Sequence, residues 1–129
     1  MADIVRVLVC GGRDLDEFQV FNRLKAELHE VLDDHLVGYP REITIIHGGA
    51  LGADEGAKRW AESENARAIC FKADWKKHGK AAGPMRNQRM IDEGKPDIVV
   101  AFPGGRGTAD MIRRAEAAGI RAIKLTEIK

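Results

Sequence analysis

Three glycine-rich turns are the segments of this sequence best suited to chemistry. They are Gly11–Asp14, His47–Asp54 and Pro103–Thr108, and each follows an apolar run and precedes a helical pattern. Where a strand ends at such a turn and a helix begins, unpaired backbone N–H groups point at one spot, which favours phosphate or another anion. Glycine also lets the backbone approach a ligand closely and adopt positive φ angles.

Glycine is common in strand-to-helix turns for structural reasons alone, but three such turns at the ends of neighbouring strands favour ligand binding. None of them matches the G-x-G-x-x-G dinucleotide fingerprint or the G-x-x-x-x-G-K-[ST] P-loop. We therefore expect neither an ordinary NAD enzyme nor a P-loop NTPase.

Basic residues accompany the turns, and this suits phosphate because a guanidinium binds it through two parallel hydrogen bonds. Trp75 lies among them, in a segment without clear periodicity, and is equally compatible with stacking on a base and with covering the core. The basic residues expected at the site are Arg13, Lys80, Arg86, Arg89 and Arg106, whereas Lys76, Lys77 and Arg113 are interpreted as solvated surface charges.

The carboxylates that follow the turns have structural interpretations. Asp14 and Asp54 are best explained as helix N-caps, with Asp14 and Glu17 forming a capping box. Asp110 has arginines three and four residues later, so a surface ion pair explains it. If the ligand is hydrolysed, an aspartate near the ribose could stabilise an oxocarbenium-like transition state.

The elements that position these residues follow from the hydrophobic pattern. Strand-like apolar runs alternate with helical patterns, which predicts an α/β fold with a parallel sheet. We expect a Rossmann-like three-layer sandwich, a five-stranded parallel sheet in the order 3-2-1-4-5 with helices on both faces and right-handed crossovers. Ligands of such sheets bind beyond the carboxyl ends of the strands, where the strand order reverses. All three turns then face one crevice.

The predicted boundaries are set by breakers and apolar runs. Residues 33–42 are predicted as a loop with Gly38 and Pro40 as breakers, and residues 72–84 as a connection whose length suggests function. In the last helix, Ile112, Ala115 and Ala118 are expected to face inward. The predicted strands are 4–10, 43–47, 66–71, 97–102 and 120–126, and the last two helices are 85–93 and 108–118.

Bulk composition restricts the class of protein. The 129 residues suit one domain, residues 1–129. A formal net charge of +1 gives no global field to recruit nucleic acid or a membrane surface. No apolar run approaches the roughly 18 residues of a membrane span, and the start of the chain lacks a signal-peptide layout, so a cytoplasmic location is expected. Homo-oligomerisation stays open.

Cysteines and histidines give no sign of a metal site. Cys10 and Cys70 each lie in or near an apolar run and are expected to be small buried residues. The four histidines, at positions 29, 35, 47 and 78, lack metal-ligand spacing. We expect no metal and no cofactor.

Four runs of the sequence carry a resemblance to a known family. The chain resembles the YspA-like branch of the SLOG superfamily over nearly its whole length, which implies a Rossmann-like domain that binds a nucleotide or nucleotide-derived ligand. Relatives include the LOG phosphoribohydrolases, which release a base from a nucleoside monophosphate, and DprA-type domains that bind single-stranded DNA. The four runs are Gly11–Asp14, His47–Asp54, Ala73–Trp75 with Gly79–Asn87 and Met90, and Phe102–Ala109.

The resemblance to the LOG enzymes covers phosphate binding better than catalysis. Those enzymes carry a P-G-G-x-G-T-x-x-E motif that binds phosphate and ends in a catalytic glutamate. Pro103–Thr108 match it, but Met111 stands at the glutamate position. The neighbouring Asp110 lies about 100° away around a helix. Arg86–Met90 matches their R-x-x-x-M pattern.

Three functions are therefore weighed. A binding module for a nucleotide-like small molecule, in sensing or sequestration, is favoured because the glutamate is missing. A phosphoribohydrolase-like hydrolase of the N-glycosidic bond is the alternative, with Arg86 and Asp110 as catalytic candidates. Single-stranded nucleic-acid binding is weakest, because aromatic residues make up only 5% of the chain. The predicted ligand-binding residues are Gly11, Gly12, Arg13, Asp14, His47, Gly48, Gly49, Gly52, Asp54, Trp75, Lys80, Arg86, Asn87, Pro103, Gly104, Gly105, Arg106, Gly107 and Thr108.

Overall fold

A computed structural model describes residues 4–35 and 42–125 of the chain. Its five strands form one sheet in the order β3-β2-β1-β4-β5, and every neighbouring pair is parallel. The predicted α/β fold and strand order are confirmed. The strands are β1 (Ile4–Cys10), β2 (Glu42–His47), β3 (Arg67–Cys70), β4 (Ile98–Ala101) and β5 (Arg121–Lys124).

Helices cover both faces of the sheet. The α-helices are α1 (Glu17–His35), α2 (Ala53–Ser63), α3 (Trp75–His78), α4 (Ala82–Asp92) and α5 (Arg106–Ala117), with a 3₁₀ turn at Gly79–Ala81. Successive strand residues point to opposite faces, so each central strand serves two cores. One core joins Val7, Ile45 and Val100 to Leu24 and Leu28 of α1 and Trp60 of α2, and the other joins Leu8, Ile46 and Val99 to Met90 of α4 and Met111 of α5.

The predicted capping box at the start of α1 is wrong by two residues. Asp16, directly before the helix, accepts hydrogen bonds from the N–H groups of Phe18 at 2.8 Å and Gln19 at 3.4 Å. This is the contact that an N-cap side chain makes with the first turn. Asp14 is exposed and lies in the turn before it, where its carboxylate is too early to reach those amides.

The segment predicted as an aperiodic connection, residues 72–84, is largely helical. Asp74 caps α3 by accepting a hydrogen bond from the Lys77 N–H at 3.1 Å. Helix α4 begins at Ala82, three residues before the predicted start, and Pro84 sits in its first turn, where a missing N–H costs nothing. A four-residue helix has too few positions to show a period, which is why the pattern did not reveal it.

Two burial predictions near the sheet edges are also wrong. Ala118 is exposed, because α5 ends at Ala117, whereas Ala115 is buried as predicted and Met111 is buried with it. Cys70 is exposed, because β3 is an edge strand. The predicted loop at 33–42 is wrong at both ends, since α1 continues to His35 and β2 begins at Glu42. The rest of that loop, with Gly38 and Pro40, and Thr126 lie outside the described residues. Within residues 4–35 and 42–125, no helix is long and apolar enough to cross a membrane.

Candidate functional site

A crevice of about 1050 Å³ lies at the carboxyl ends of the strands, where all three glycine turns meet. The chain order reverses there, since β1 has β2 on one side and β4 on the other. Every predicted ligand-binding residue lines the crevice except His47, Gly52, Pro103 and Gly104. The structure therefore brings most of the predicted residues together at one crevice, and it gives the turn residues different roles.

The residues that do not line the crevice hold the turns against one another. The Gly12 N–H donates to the Pro103 carbonyl at 2.8 Å, which joins the turns after β1 and β4. A Cβ on Gly52 would come within 2.3 Å of the Gly12 carbonyl oxygen, and one on Gly104 within 2.2 Å of Thr108 Oγ1. Glycine at these two positions is thus required by packing.

Three backbone N–H groups of the turn after β2 are already hydrogen-bonded within the protein. The N–H groups of Gly48 and Ala50 each donate to Asp54 Oδ2 at 3.1 Å. The Gly49 N–H donates to His47 Nδ1 at 3.1 Å. Since these three amides are already satisfied, this turn does not offer the cluster of open donors that the sequence suggested.

His47 is a structural residue of this turn. It is 4% exposed, and burial lowers the pKa of its imidazole, with the charge of Lys58 as a smaller cause. The ring is therefore neutral at neutral pH. Its Nδ1 accepts the Gly49 N–H, which places the ring proton on Nε2.

The turn after β4 offers open donors at the start of a helix. Helix α5 begins at Arg106 with Gly105 as its N-cap, and no side chain caps it. The N–H groups of Arg106, Gly107 and Thr108 make no hydrogen bond to any residue in the described ranges. A Cβ on Gly105 or Gly107 would meet no atom within 4 Å. Open space and unpaired amides together suit an anion.

Arg86, on α4, is bonded to the turn after β2 and to the residue that follows β3. Its Nη1 donates to the carbonyl oxygens of Gly48 at 2.7 Å and Phe71 at 3.4 Å, and its Nε donates to Asn87 Oδ1 at 3.1 Å. Nη2 has no partner among the residues that the structure describes. The guanidinium is thus fixed on one side and available to a ligand on the other.

Asn87 connects α4 to the start of α5. It is 4% exposed, and its Nδ2 donates to the Gly107 carbonyl at 3.2 Å and to Asp110 Oδ2 at 3.0 Å. Arg86 and Asn87, adjacent in the chain, therefore hold the turn after β2 and the turn after β4 respectively. We name this pair the Arg86–Asn87 strut.

Asp110 is committed to that structure. The guanidinium groups of Arg113 and Arg114 both pair with its carboxylate, as predicted, yet the residue is 8% exposed and not on the surface. Burial alone would raise its pKa, but hydrogen bonds from Arg114 and Asn87 and the two arginine charges hold the pKa below its usual range. An ionised, fully bonded carboxylate is poorly placed for proton transfer.

Met111, at the position of the LOG glutamate, belongs to the core. It is 1% exposed and packs with Leu8 and Met90 under the crevice. Beside it, burial raises the pKa of the Cys10 thiol to about 12, with the Asp54 charge adding to the effect, so this cysteine is inert.

Asp54 is not the N-cap that was predicted. Gly52 occupies the cap position, and Asp54 lies inside the first turn of α2, 7% exposed, where its carboxylate binds the turn after β2. Burial raises its pKa, and the Ala50 N–H, the Arg86 charge and the Gly48 N–H oppose that shift in decreasing order.

The crevice is positively charged although the chain is nearly neutral. Six basic and three acidic side chains line it, an excess of three positive charges against +1 for the whole chain. Lys72 and Arg113 are the lining cations not predicted for the site, while Arg89 pairs with Glu93 outside it. In the described part of the chain, no three His, Cys, Asp or Glu residues are grouped to hold a metal ion.

Trp75 lies at the rim of the crevice. It is 56% exposed, which excludes a role in covering the core, and a Cβ on Gly83 would come within 3.1 Å of its ring. The ring thus packs along Gly83 and leaves much of its surface open to the crevice.

Comparisons with known proteins agree with this architecture. The family model described as the YspA, cpYpsA-related SLOG family (YAcAr) matches residues 5–78. The Gene 61 protein of Mycobacterium phage D29 is 40% identical over 126 residues, which cover 92% of this chain and 94% of that protein. The X-ray structure of TM1055, a Northeast Structural Genomics Consortium target, superposes with a TM-score of 0.60 at 17% identity, covering 92% of this chain and 72% of that one. The last similarity shows the fold alone.

Proposed function

The chain belongs to the YspA, cpYpsA-related SLOG family, and on that basis we propose that its crevice binds a nucleotide or nucleotide-derived ligand for sensing or sequestration. The observation that carries the proposal is the open first turn of α5, which faces the same positively charged crevice as Arg86.

The phosphate of the ligand is assigned to the start of α5. The N–H groups of Arg106, Gly107 and Thr108 point out of the uncapped helix, and the helix dipole adds positive potential there. The side chains of Arg13 and Arg106, which line the crevice, supply charged donors.

The base of the ligand is assigned to Trp75. An exposed indole face at the rim of the same crevice is suited to stacking, which is tolerant of base identity. Trp75 is the only aromatic residue that lines the described crevice, and Lys76 and Lys77 do not line it. A strand of nucleic acid needs several stacking positions in a basic groove, so a small molecule is the better match.

Hydrolysis of the N-glycosidic bond is the second candidate function. One observation favours it: the Asp54 carboxyl lines the crevice with a raised pKa, which is typical of general acids. Chromatography for free base after incubation with a nucleoside monophosphate separates turnover from binding.

The first prediction tests the phosphate assignment. Calorimetry with AMP, ADP-ribose, a cyclic nucleotide and inorganic phosphate is expected to reveal binding to at least one of them. Arg106→Ala is expected to weaken that binding by about ten-fold or more, because it removes a charged donor. The same substitution should change the affinity for adenosine little, because adenosine lacks phosphate.

The matched control is Arg67→Ala, which removes an exposed arginine on edge strand β3, outside the crevice. It is expected to leave affinity unchanged. An absence of binding to every compound at millimolar concentration contradicts the proposal, and so does an equal loss in both variants.

A further inference from the structure

One oxygen of Asp54 lacks a protein partner. Oδ2 accepts both backbone hydrogen bonds, from Gly48 and Ala50, whereas Oδ1 accepts none from the described residues. Within the described residues, Asp54 Oδ1 is not among the side-chain atoms that are fully buried and unbonded, so it retains contact with solvent. Because Asp54 lines the crevice, that contact is with the crevice. A nearly buried carboxylate thus keeps an open acceptor there.

Arg86 lies beside this acceptor without pairing with it. A Cβ built on Gly48 would come within 2.4 Å of Arg86 Nη1 and 3.0 Å of Asp54 Oδ2, so both groups flank the same glycine. The charge of Arg86 also acts on the Asp54 carboxyl. Yet Asp54 takes part in none of the ion pairs within the described ranges. A gap therefore remains between an open acceptor and the open donors of Nη2.

A hydroxyl group is the chemical complement of that gap. It can donate to a carboxylate oxygen and accept from a guanidinium N–H at the same time, whereas a phosphate oxygen would be repelled by the carboxylate.

The strand order puts this gap in the middle of the site. Along the sheet edge, the turn after β2 lies between the end of β3, which leads to Trp75, and the end of β4, which leads to the open start of α5. Three strand spacings, about 14 Å, separate β3 from β4. A nucleotide with its base at one end and its phosphate at the other would lay its sugar over Gly48.

We propose that Asp54 Oδ1 accepts a hydrogen bond from a sugar hydroxyl of the ligand, with Arg86 donating to the same sugar, so that the crevice selects ribose over deoxyribose. The inference rests on the proposed binding of a nucleotide-like ligand and names the group that discriminates among such ligands.

The test compares the affinities of AMP, 2′-deoxy-AMP and 3′-deoxy-AMP in the wild type and in Asp54→Asn. The wild type is expected to bind at least one deoxy compound about ten-fold or more weakly than AMP, because the missing hydroxyl leaves a charged acceptor unpaired. Asp54→Asn keeps an oxygen for the Gly48 and Ala50 amides but puts an NH₂ group at the crevice. The ribose preference should therefore collapse while AMP still binds.

The control is Glu55→Gln, the next residue of the same helix turn, which loses the same charge outside the crevice. It is expected to keep the ribose preference. Equal wild-type affinity for AMP and both deoxy compounds overturns this inference alone, as does a preference that survives Asp54→Asn. Failure of the wild type to bind AMP, ADP-ribose or any cyclic nucleotide overturns the proposed function, and this inference with it.

Discussion

At the scale of single residues, the glycines of the turns have different structural roles. Gly52 and Gly104 are needed because a side chain would strike a neighbouring turn, whereas Gly105 and Gly107 face open space. The sequence predicts that these positions are glycine-rich turns, but packing between turns distant in the chain decides which glycine is structural. Asp54 and Asp110 likewise each follow a glycine turn in the sequence, but the structure gives their carboxyl groups different environments.

The residue-scale prediction concerns Asp54 and Asp110, whose pKa shifts have opposite signs. The folded state holds the Asp54 proton more tightly than the unfolded chain does. Its favourable contribution is present below the ordinary pKa of 3.8 and is lost as the pH rises through the folded pKa. Asp110 contributes above 3.8, and its contribution is lost as the pH falls through its lowered pKa.

Asp54→Asn is therefore expected to raise the free energy of unfolding at neutral pH, and Asp110→Asn is expected to lower it. Both differences from the wild type should shrink toward about pH 3. Urea unfolding at several pH values from about 3 to about 7 measures them. Differences of the same sign at neutral pH would contradict the assigned environments.

At the scale of elements, α4 organises the site. The sequence predicted most of this helix, ended by the breakers Gly94 and Pro96, and the Arg86–Met90 pattern indicated its importance. It could not predict the Arg86–Asn87 strut, because the partners, Gly48 and Gly107, lie far away in the chain and meet only through the sheet order. The helical turn at Trp75–His78 also escaped prediction, since one turn carries no period.

Loss of the strut tests the role of α4. Asn87→Ala is expected to lower the free energy of unfolding by about 1–3 kcal/mol, because the buried Asp110 Oδ2 and the part-buried Gly107 carbonyl each lose a donor. It should also weaken ligand binding, because the start of α5 is no longer held. Urea unfolding and calorimetry give the two readouts.

Arg89→Ala, on the same helix, is the comparison. It removes an exposed pair with Glu93 and is expected to cost about 0.5 kcal/mol or less. If both variants lose the same stability and affinity, α4 does not position the site through Asn87.

At the scale of the whole molecule, the fold was the most predictable property. Alternating apolar runs and helical spacing determine a parallel sheet, and handedness rules leave few strand orders. Charge was less predictable. The sequence places several basic residues at this edge of a nearly neutral chain, but it does not predict that Lys72 and Arg113 also line the crevice. The cytoplasmic location stays a prediction.

This local charge leads to a prediction about salt. Raising the ionic strength from about 50 mM to about 500 mM is expected to weaken the binding of a phosphorylated ligand several-fold, because exposed cations at the crevice are screened. Binding of the matching neutral nucleoside, measured by the same calorimetry, should change little. Equal salt effects on the two compounds would show that the crevice charge does not act on the phosphate.

The strut has a further meaning for how a ligand would enter. Because adjacent residues of one helix donate hydrogen bonds to turns on opposite walls, moving these walls apart would break at least one of the two bonds. We therefore expect the site to be preformed before the ligand binds. Binding would then require little rearrangement of the protein, so little of the binding free energy would be lost in ordering it.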